Sequence, residues 1–402
     1  MLKGIRFHQI FKETIMQNTN RREFLKTSGK LTAVAAVLGS NMSVLMADSN
    51  PHKTKQNLKE QLPMRTLGKA NPLQVSALGL GCMGMSHGHG PARDIKQMTR
   101  LLHQAVELGV RYFDTAEIYG PHTNEELLGN ALKPYRDKVV IGTKFGLYYP
   151  FNKQMQDSTR KSIFRAIDSS LKRLKTDYID IYTQHRVDTD TPIEEVAQTM
   201  QELIKMGKIR HYGLSEAGAK TIAKAHKIYP VCAVQSQYSM IFREPEQNGV
   251  LDICSSLGIG FVAYSPLDRG FLAGGMDKHT RFHKTLDMRA NFPRFSPQAL
   301  EANQVVIEFL REIAKDKFIT HNGRKQQATS AQIALAWILA QRDFIMPIPE
   351  TTNPAHLQEN LNALQITFTK AEIEAINAKL DKIPIMGERY QPNSDMARSV
   401  GL

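Results

Sequence analysis

The chain has 402 residues, 42% apolar and 23% charged, the proportions of a soluble globular protein with a sizeable core. Its formal charge is +13, but residues 1–60 hold ten of the 52 Lys and Arg and four of the 39 Asp and Glu, leaving an excess of +7 beyond them. No nucleic-acid motif accompanies that charge, and three cysteines (Cys82, Cys232, Cys254) without CxxC spacing suggest neither a disulfide framework nor a zinc site.

At the N-terminus, Thr19-Asn20-Arg21-Arg22-Glu23-Phe24-Leu25-Lys26 sets paired arginines ahead of the apolar stretch Leu31–Gly39, which runs on to Met46-Ala47. That layout reads as a twin-arginine (Tat) export signal over residues 1–47, an address rather than a fold element. Export through the Tat machinery would place the protein in the periplasm or beyond; a cytoplasmic protein with a basic amphipathic start is the alternative. The apolar stretch is too short to span a bilayer as a mature helix, so no stable membrane insertion is expected. Residues 48–62 read as a polar linker, 63–384 as the folded domain and 385–402 as a tail.

From Leu67 onward, short β-like runs alternate with helical patterns. The candidate strands are Ser76–Leu80, Arg111–Asp114, Val139–Thr143, Ile179–Thr183, His211–Leu214, Ala233–Ser236, Gly260–Tyr264 and Ile345–Ile348. Between them, apolar residues recur at spacings of three and four, as in Ile163-Ala166-Ile167-Ser170-Leu171-Leu174. Eight β/α alternations in about 300 residues predict an α/β fold, a closed (β/α)₈ TIM barrel rather than an open sheet. Met64–Gly68 and Gln74–Ser76 suggest a hairpin capping the barrel's N-terminal mouth. A Gly-, Pro- and Arg-rich loop over 265–297 leaves the seventh strand and reads as a functional lid. An extra helix over Pro297–Lys315, another over Thr369–Leu380 and an irregular tail from Pro384 complete the chain.

Four polar side chains stand just after short apolar runs: Asp114, Tyr119, Lys144 and His185. On successive strands of a parallel barrel they converge at its C-terminal face, where such barrels keep their chemistry. A tyrosine with an ordinary pKa of about 10 is a poor proton donor near neutrality. A nearby ammonium favours the phenolate and so acidifies the phenol. Lys144 is the candidate ammonium, Asp114 its counter-ion, and His185 a second hydrogen-bonding group for a carbonyl oxygen at Tyr119. The expectation is a tuned acid beside a polarised C=O, lacking only a hydride donor.

The stretches that carry these residues are Phe113-Asp114-Thr115-Ala116-Glu117-Ile118-Tyr119-Gly120, Gly142-Thr143-Lys144-Phe145-Gly146 and Asp180-Ile181-Tyr182-Thr183-Gln184-His185-Arg186-Val187-Asp188. With Gly213-Leu214-Ser215-Glu216-Ala217, Val234-Gln235-Ser236-Gln237-Tyr238-Ser239 and Ala263-Tyr264-Ser265-Pro266-Leu267, the sequence resembles the aldo-keto reductase superfamily over residues 64–381. The resemblance implies NAD(P)(H)-dependent hydride transfer between nicotinamide C4 and a small-molecule carbonyl or alcohol (aldehyde, ketone or sugar). Tyr119 would be the general acid/base, supported by Lys144, Asp114 and His185. It implies further that Ser215 and Gln235 hold the nicotinamide carboxamide and that Tyr264 stacks on the ring. Ser265, Leu267 and Arg269 would cover the pyrophosphate, while Gly81, Met83 and Asp114 touch the cofactor. Thr351 and Thr352 fall in the segment that grips the adenosine phosphate, and Glu359 and Asn360 match positions near the adenine.

Two departures stand out. Glu216 replaces the Asn that many relatives carry beside the serine. In Ile348-Pro349-Glu350-Thr351-Thr352-Asn353-Pro354, Glu350 brings a negative charge and Thr352 supplies no cation, although helix N-terminal amides after Asn353 can still bind an anion. NADP (NADPH) is the family default, and NAD stays open. The pair His87 and His89 lacks an apparent third ligand, so no metal site is assigned and a flexible wall of the substrate pocket is the expectation. Tyr148, Tyr149 and Phe151 suit either stacking on a substrate ring or packing the barrel rim; Trp337 reads as core. The alternative functions are a cofactor-binding redox sensor or regulatory subunit with slow turnover, and a lyase using Lys144 as a Schiff base, which would require that lysine to be neutral.

Overall fold

The computed structural model describes residues 62–149 and 154–402; the expected export signal, most of the expected linker and Phe151 lie outside them. Its centre is an eight-stranded parallel sheet of β1 (Leu80–Gly81), β2 (Tyr112–Asp114), β3 (Val140–Phe145), β4 (Ile179–Gln184), β5 (Ile209–Ser215), β6 (Val231–Gln237), β7 (Gly260–Tyr264) and β8 (Ile345–Pro347). Each strand pairs with the next in sequence. Closure comes where the Gly79 and Gly81 amides donate to the Pro347 and Pro349 carbonyls at 3.0 and 3.2 Å, beside a parallel bridge from Gly81 to Glu350. The fold is therefore the (β/α)₈ barrel that the alternation predicted.

Strand β1 is a correction. The sequence run suggested Ser76–Leu80, but Ser76 pairs with Met64 in the antiparallel hairpin of Met64–Leu67 and Leu73–Ser76. Its hydroxyl donates to the Leu78 carbonyl and accepts the Arg111 amide, which turns the chain before β1 begins at Leu80. An unbroken apolar run carries no mark of such a corner.

Two apolar cores follow from the alternation of side chains along each strand. The larger lies between the strands and the surrounding helices and includes Trp337, whose indole N–H donates to Asn377 at 2.8 Å. The smaller fills the barrel, where Leu67, Leu73 and Val75 of the hairpin pack on Tyr112, Ile181, Val262 and Met346. The hairpin is thus the floor of the barrel. Gly260 allows it: a Cβ there would fall 2.5 Å from Leu67 Cδ2.

The long segment after β7 contains a kinked pair of turns over Asp268–Ala273 and two single-turn helices, Met288–Asn291 and Pro293–Phe295. The expected helix over Pro297–Lys315 is two, Pro297–Ala302 and Gln304–Ala314, broken at buried Asn303. The Asn303 side chain turns outward from the helical ladder to bond both the amide and the carbonyl of Met386, and so anchors the C-terminal tail. Thr369 caps Lys370–Leu380 with Glu372 in a reciprocal capping box. The tail itself is irregular apart from Asp395–Arg398. Among the described residues no helix is long and apolar enough to cross a membrane.

Candidate active site

Strand register brings the site together. Asp114 is the last residue of β2 and pairs with Gly142, two residues before Lys144 on β3, so both side chains enter the barrel on the same side. Lys144 Nζ donates to Asp114 Oδ2 at 2.5 Å, to the Thr115 carbonyl at 2.8 Å and to the Tyr119 hydroxyl at 3.3 Å. Its side chain is 1% exposed. Gln235, on β6 across the barrel, donates to Asp114 Oδ1 at 2.8 Å. His185 follows β4 and sets its ring edge-on to Tyr119, with centroids 5.9 Å apart. All four expected catalytic residues therefore meet at one point.

The turn that presents Tyr119 is built by Asn124. That side chain accepts from the Thr115 hydroxyl at 2.6 Å and donates to the Cys82 carbonyl and the Ser86 hydroxyl, joining the loops after β1 and β2. Tyr119 is held further by its own amide to the Ala116 carbonyl and by its carbonyl, which accepts the Asn124 amide.

The electrostatics depart from the sequence expectation in one respect. Burial would depress the Lys144 ammonium, but Asp114 and Tyr119 more than offset it, and the lysine stays above its ordinary value. For Tyr119 the balance runs the other way. Burial raises the phenol above 10, and the opposing pull of Lys144 does not overcome it. The expected acidified phenol is corrected: at neutral pH Tyr119 carries its proton, because the Asp114 carboxylate, bonded to the same ammonium, also disfavours a second anion. The His185 imidazole is pushed well below its ordinary value by burial, with Arg186 and Lys144 acting in the same direction, so it is neutral. Its Nδ1 is buried without a partner.

A cavity of about 680 Å³ opens over this group. Of the expected cofactor residues, Gly81, Met83, Asp114, Ser215, Gln235, Tyr264, Ser265, Leu267, Arg269, Thr351 and Thr352 line it. Glu359 and Asn360 do not: Asn360 is buried, and the Glu359 carbonyl accepts from Gln332. The cavity has the size and mixed lining of a cofactor and substrate site. A buried Arg269 Nη1 with no partner offers a charge-assisted donor to an anionic pyrophosphate, so the residues fit a dinucleotide. Ser265, Asp268 and Arg269 adopt left-handed backbone conformations (φ 48°, 45° and 54°), strain held in place by the packed loop around them.

Glu350, Tyr149 and the His87–His89 pair, which the sequence had marked out, and several residues it had not, complete the walls. Glu350 faces the cavity and bonds His89 Nδ1 at 2.9 Å; Gly84 makes room, since a Cβ there would lie 1.9 Å from Glu350 Oε1. His87 stacks toward Tyr119, and Tyr149 and Gln154 close the far side. Arg186, next to His185 in the motif, and Tyr390, in the tail, also line it. Arg389 pairs with Glu216 at 2.8 Å and donates to the Tyr264 hydroxyl at 3.0 Å. Of the residues the sequence had not marked out, only Arg186 had a usable signal, its adjacency to His185; nothing in the spacing of the tail marks Arg389 or Tyr390.

A closed parallel barrel with a lysine, a carboxylate, a phenol and an imidazole at its C-terminal face defines a TIM-barrel oxidoreductase. The profile of the aldo/keto reductase family matches residues 77–381. Probable aldo-keto reductase 1 of Glycine max is 37% identical over 325 residues, covering 80% of this chain and 90% of that one. Among solved structures, glycerol dehydrogenase from Gluconobacter oxydans superposes with a TM-score of 0.70 at 26% identity, covering 82% of this chain and 98% of its own. An aldo/keto reductase from Klebsiella pneumoniae, solved in complex with NADP and acetate, gives a TM-score of 0.60 at 25% identity, covering 82% and 99%. The chain belongs to the aldo/keto reductase family.

The buried charge pair makes a stability prediction. Asp114→Asn leaves the Lys144 ammonium without its counter-charge and is expected to cost about 3–5 kcal/mol. Adding Lys144→Met removes the stranded charge and recovers most of that loss. Urea unfolding of wild type, both single variants and the double variant checks it; a double variant no more stable than Asp114→Asn would show that the pair is not coupled.

Proposed function

We propose that this protein is an NADP(H)-dependent carbonyl reductase acting on small molecules, with Tyr119 as the proton donor. The observation that carries the reading is the bonded series Asp114–Lys144–Tyr119 at the mouth of the barrel, facing His185 across a cavity suited to a dinucleotide. Bound nicotinamide would supply the hydride. Ser215 and Gln235 would orient its carboxamide, Tyr264 would support the ring, and Arg269 would take the pyrophosphate.

The chain's own part is to place and protonate. Tyr119 and neutral His185 would bind the substrate carbonyl oxygen from two sides, and the Tyr119 proton passes to that oxygen as charge develops on it. The Lys144 ammonium then stabilises the phenolate that remains, a contribution that grows along the reaction. A Lys144 ammonium held charged by Asp114 disfavours the Schiff-base lyase. Complete proton-transfer machinery disfavours the slow-turnover sensor.

Tyr119→Phe is expected to lower kcat/KM for aldehyde reduction by about 10²–10⁴ while nucleotide affinity, read by fluorescence quenching, changes little. Because the phenol titrates above 10, reduction should hold its rate through neutral pH and fall on the alkaline side. Alcohol oxidation needs the phenolate and should rise about tenfold per pH unit over the neutral range. Retained turnover in the Phe variant would exclude this donor.

NADP(H) is proposed because the structurally similar Klebsiella protein was solved with NADP. The Glu350 carboxylate in the cavity wall and the absence of a cation at Thr352 favour a second reading, use of NAD(H). Titration with both nucleotides decides: an NADPH dissociation constant tenfold or more below that of NADH upholds the first, and the reverse order the second.

The paired Arg21-Arg22 before Leu31–Gly39 supports export of the folded protein by the twin-arginine machinery. Replacing both arginines by lysine should leave the protein in the cytoplasm on fractionation. Unchanged periplasmic recovery would overturn export by this route.

A further inference from the structure

Arginines crowd one end of the catalytic cavity, and their charges are not all answered. Arg389 is occupied, bonded to Glu216 and to the Tyr264 hydroxyl. Arg269 lies 4.6 Å over the Phe292 ring and is the cation suited to a pyrophosphate. Arg186 is left over. It is 9% exposed, lines the cavity, and forms no ion pair with a carboxylate among the described residues. Its Nη1 donates to the His185 carbonyl at 2.7 Å and to the Ser215 hydroxyl at 3.3 Å, and its buried Nε has no partner. The Glu216 carboxylate, whose field reaches it, is already bonded to Arg389 and to the Gln237 amide.

A buried guanidinium without a counter-ion is costly unless something else supplies the negative charge. The Tyr390 phenol lies in the same cluster of cations. Burial would raise the Tyr390 phenol, yet Arg389, Arg186 and Arg269 together bring it down to about 7. Its hydroxyl sits 3.2 Å from that of Tyr264 and 3.4 Å from Arg389 Nη2, within the same cavity wall. The buried, unpartnered Nε and the planar fork of Arg186 at the cavity wall match a carboxylate or phosphate.

We propose that the substrate is an anionic carbonyl compound whose carboxylate or phosphate binds Arg186 while its carbonyl oxygen meets Tyr119 and His185. This rests on the carbonyl-reductase reading above and adds the substrate class. Position supports it, since Arg186 follows His185 directly and is bonded to its carbonyl, so the anion site and the reacting oxygen share one wall. Reduction leaves the acid group untouched and yields the corresponding hydroxy acid or hydroxy phosphate.

The test uses matched pairs of aldehydes with NADPH and NADH: butanal against succinic semialdehyde, and glyceraldehyde against glyceraldehyde 3-phosphate. The acidic member is expected to have a kcat/KM at least tenfold higher, chiefly through KM, in one or both pairs; which pair responds tells carboxylate from phosphate. Arg186→Gln should bring the acidic-to-neutral ratio to about one, whatever the absolute rates. Non-reducible succinate or inorganic phosphate should inhibit butanal reduction by wild type competitively, a readout that needs no variant. Turnover of both members without acid preference would overturn the inference alone, as would a preference that survives in Arg186→Gln. No turnover of any aldehyde with either nucleotide would overturn the reductase reading and this inference with it.

Discussion

The site depends on one buried ion pair. Lys144 and Asp114 are charges placed almost wholly out of water, and each is tolerable only because the other is within bonding distance. Meeting that condition fixes more than two side chains. Asp114 spends its second oxygen on Gln235 across the barrel, and Lys144 spends a second proton on the Thr115 carbonyl. Strands β2, β3 and β6 and the turn carrying Tyr119 are thus referred to one point. A slip of one residue in β3 would send Lys144 to the other face of the sheet and strand the carboxylate.

The same pair sets the proton inventory of the site. With Asp114 nearly neutralising Lys144, the net field at Tyr119 is too weak to offset burial, and the phenol keeps its proton. His185 is kept neutral by burial and by the two cations beside it. At rest the phenol therefore keeps its proton available to a bound oxygen. Charge developing on a bound oxygen would change that balance, because a phenolate next to Lys144 completes a second ion pair. A donor that is reluctant at rest and helped only as the reaction proceeds is what transition-state stabilisation requires.

The barrel and the central residues were legible because their signals are local. A short apolar run followed by one polar residue states both the element and its C-terminal end, as at Asp114 and Lys144. What stayed hidden depended on contacts between distant segments. The corner at Ser76, the break at Asn303 and the seating of Tyr390 arise from hydrogen bonds and packing to partners 35, 83 and 126 residues away. Neither periodicity nor composition records such partners. The direction of the Tyr119 shift escaped the sequence for a related reason: the sequence supplies the neighbours, but burial, which decides the outcome, is a property of the folded whole.

Glu216 shows how a local departure and a remote segment explain each other. Taken alone, a glutamate beside Ser215 puts a buried negative charge next to the proposed nicotinamide site. Arg389 of the tail supplies the compensation, and burial, which would raise that carboxyl, is overcome by Arg389 and Arg186 so that it stays below its ordinary range. The backbone repeats the link, since the Gly401 amide donates to the Glu216 carbonyl and the Gly218 amide to that of Leu402. An asparagine at 216 would leave Arg389 buried without a counter-ion beside Tyr264. The glutamate is therefore a condition for a tail that reaches into the site, and that tail brings Tyr390 to the end of the cavity where Arg186 stands without an ion-paired carboxylate of its own.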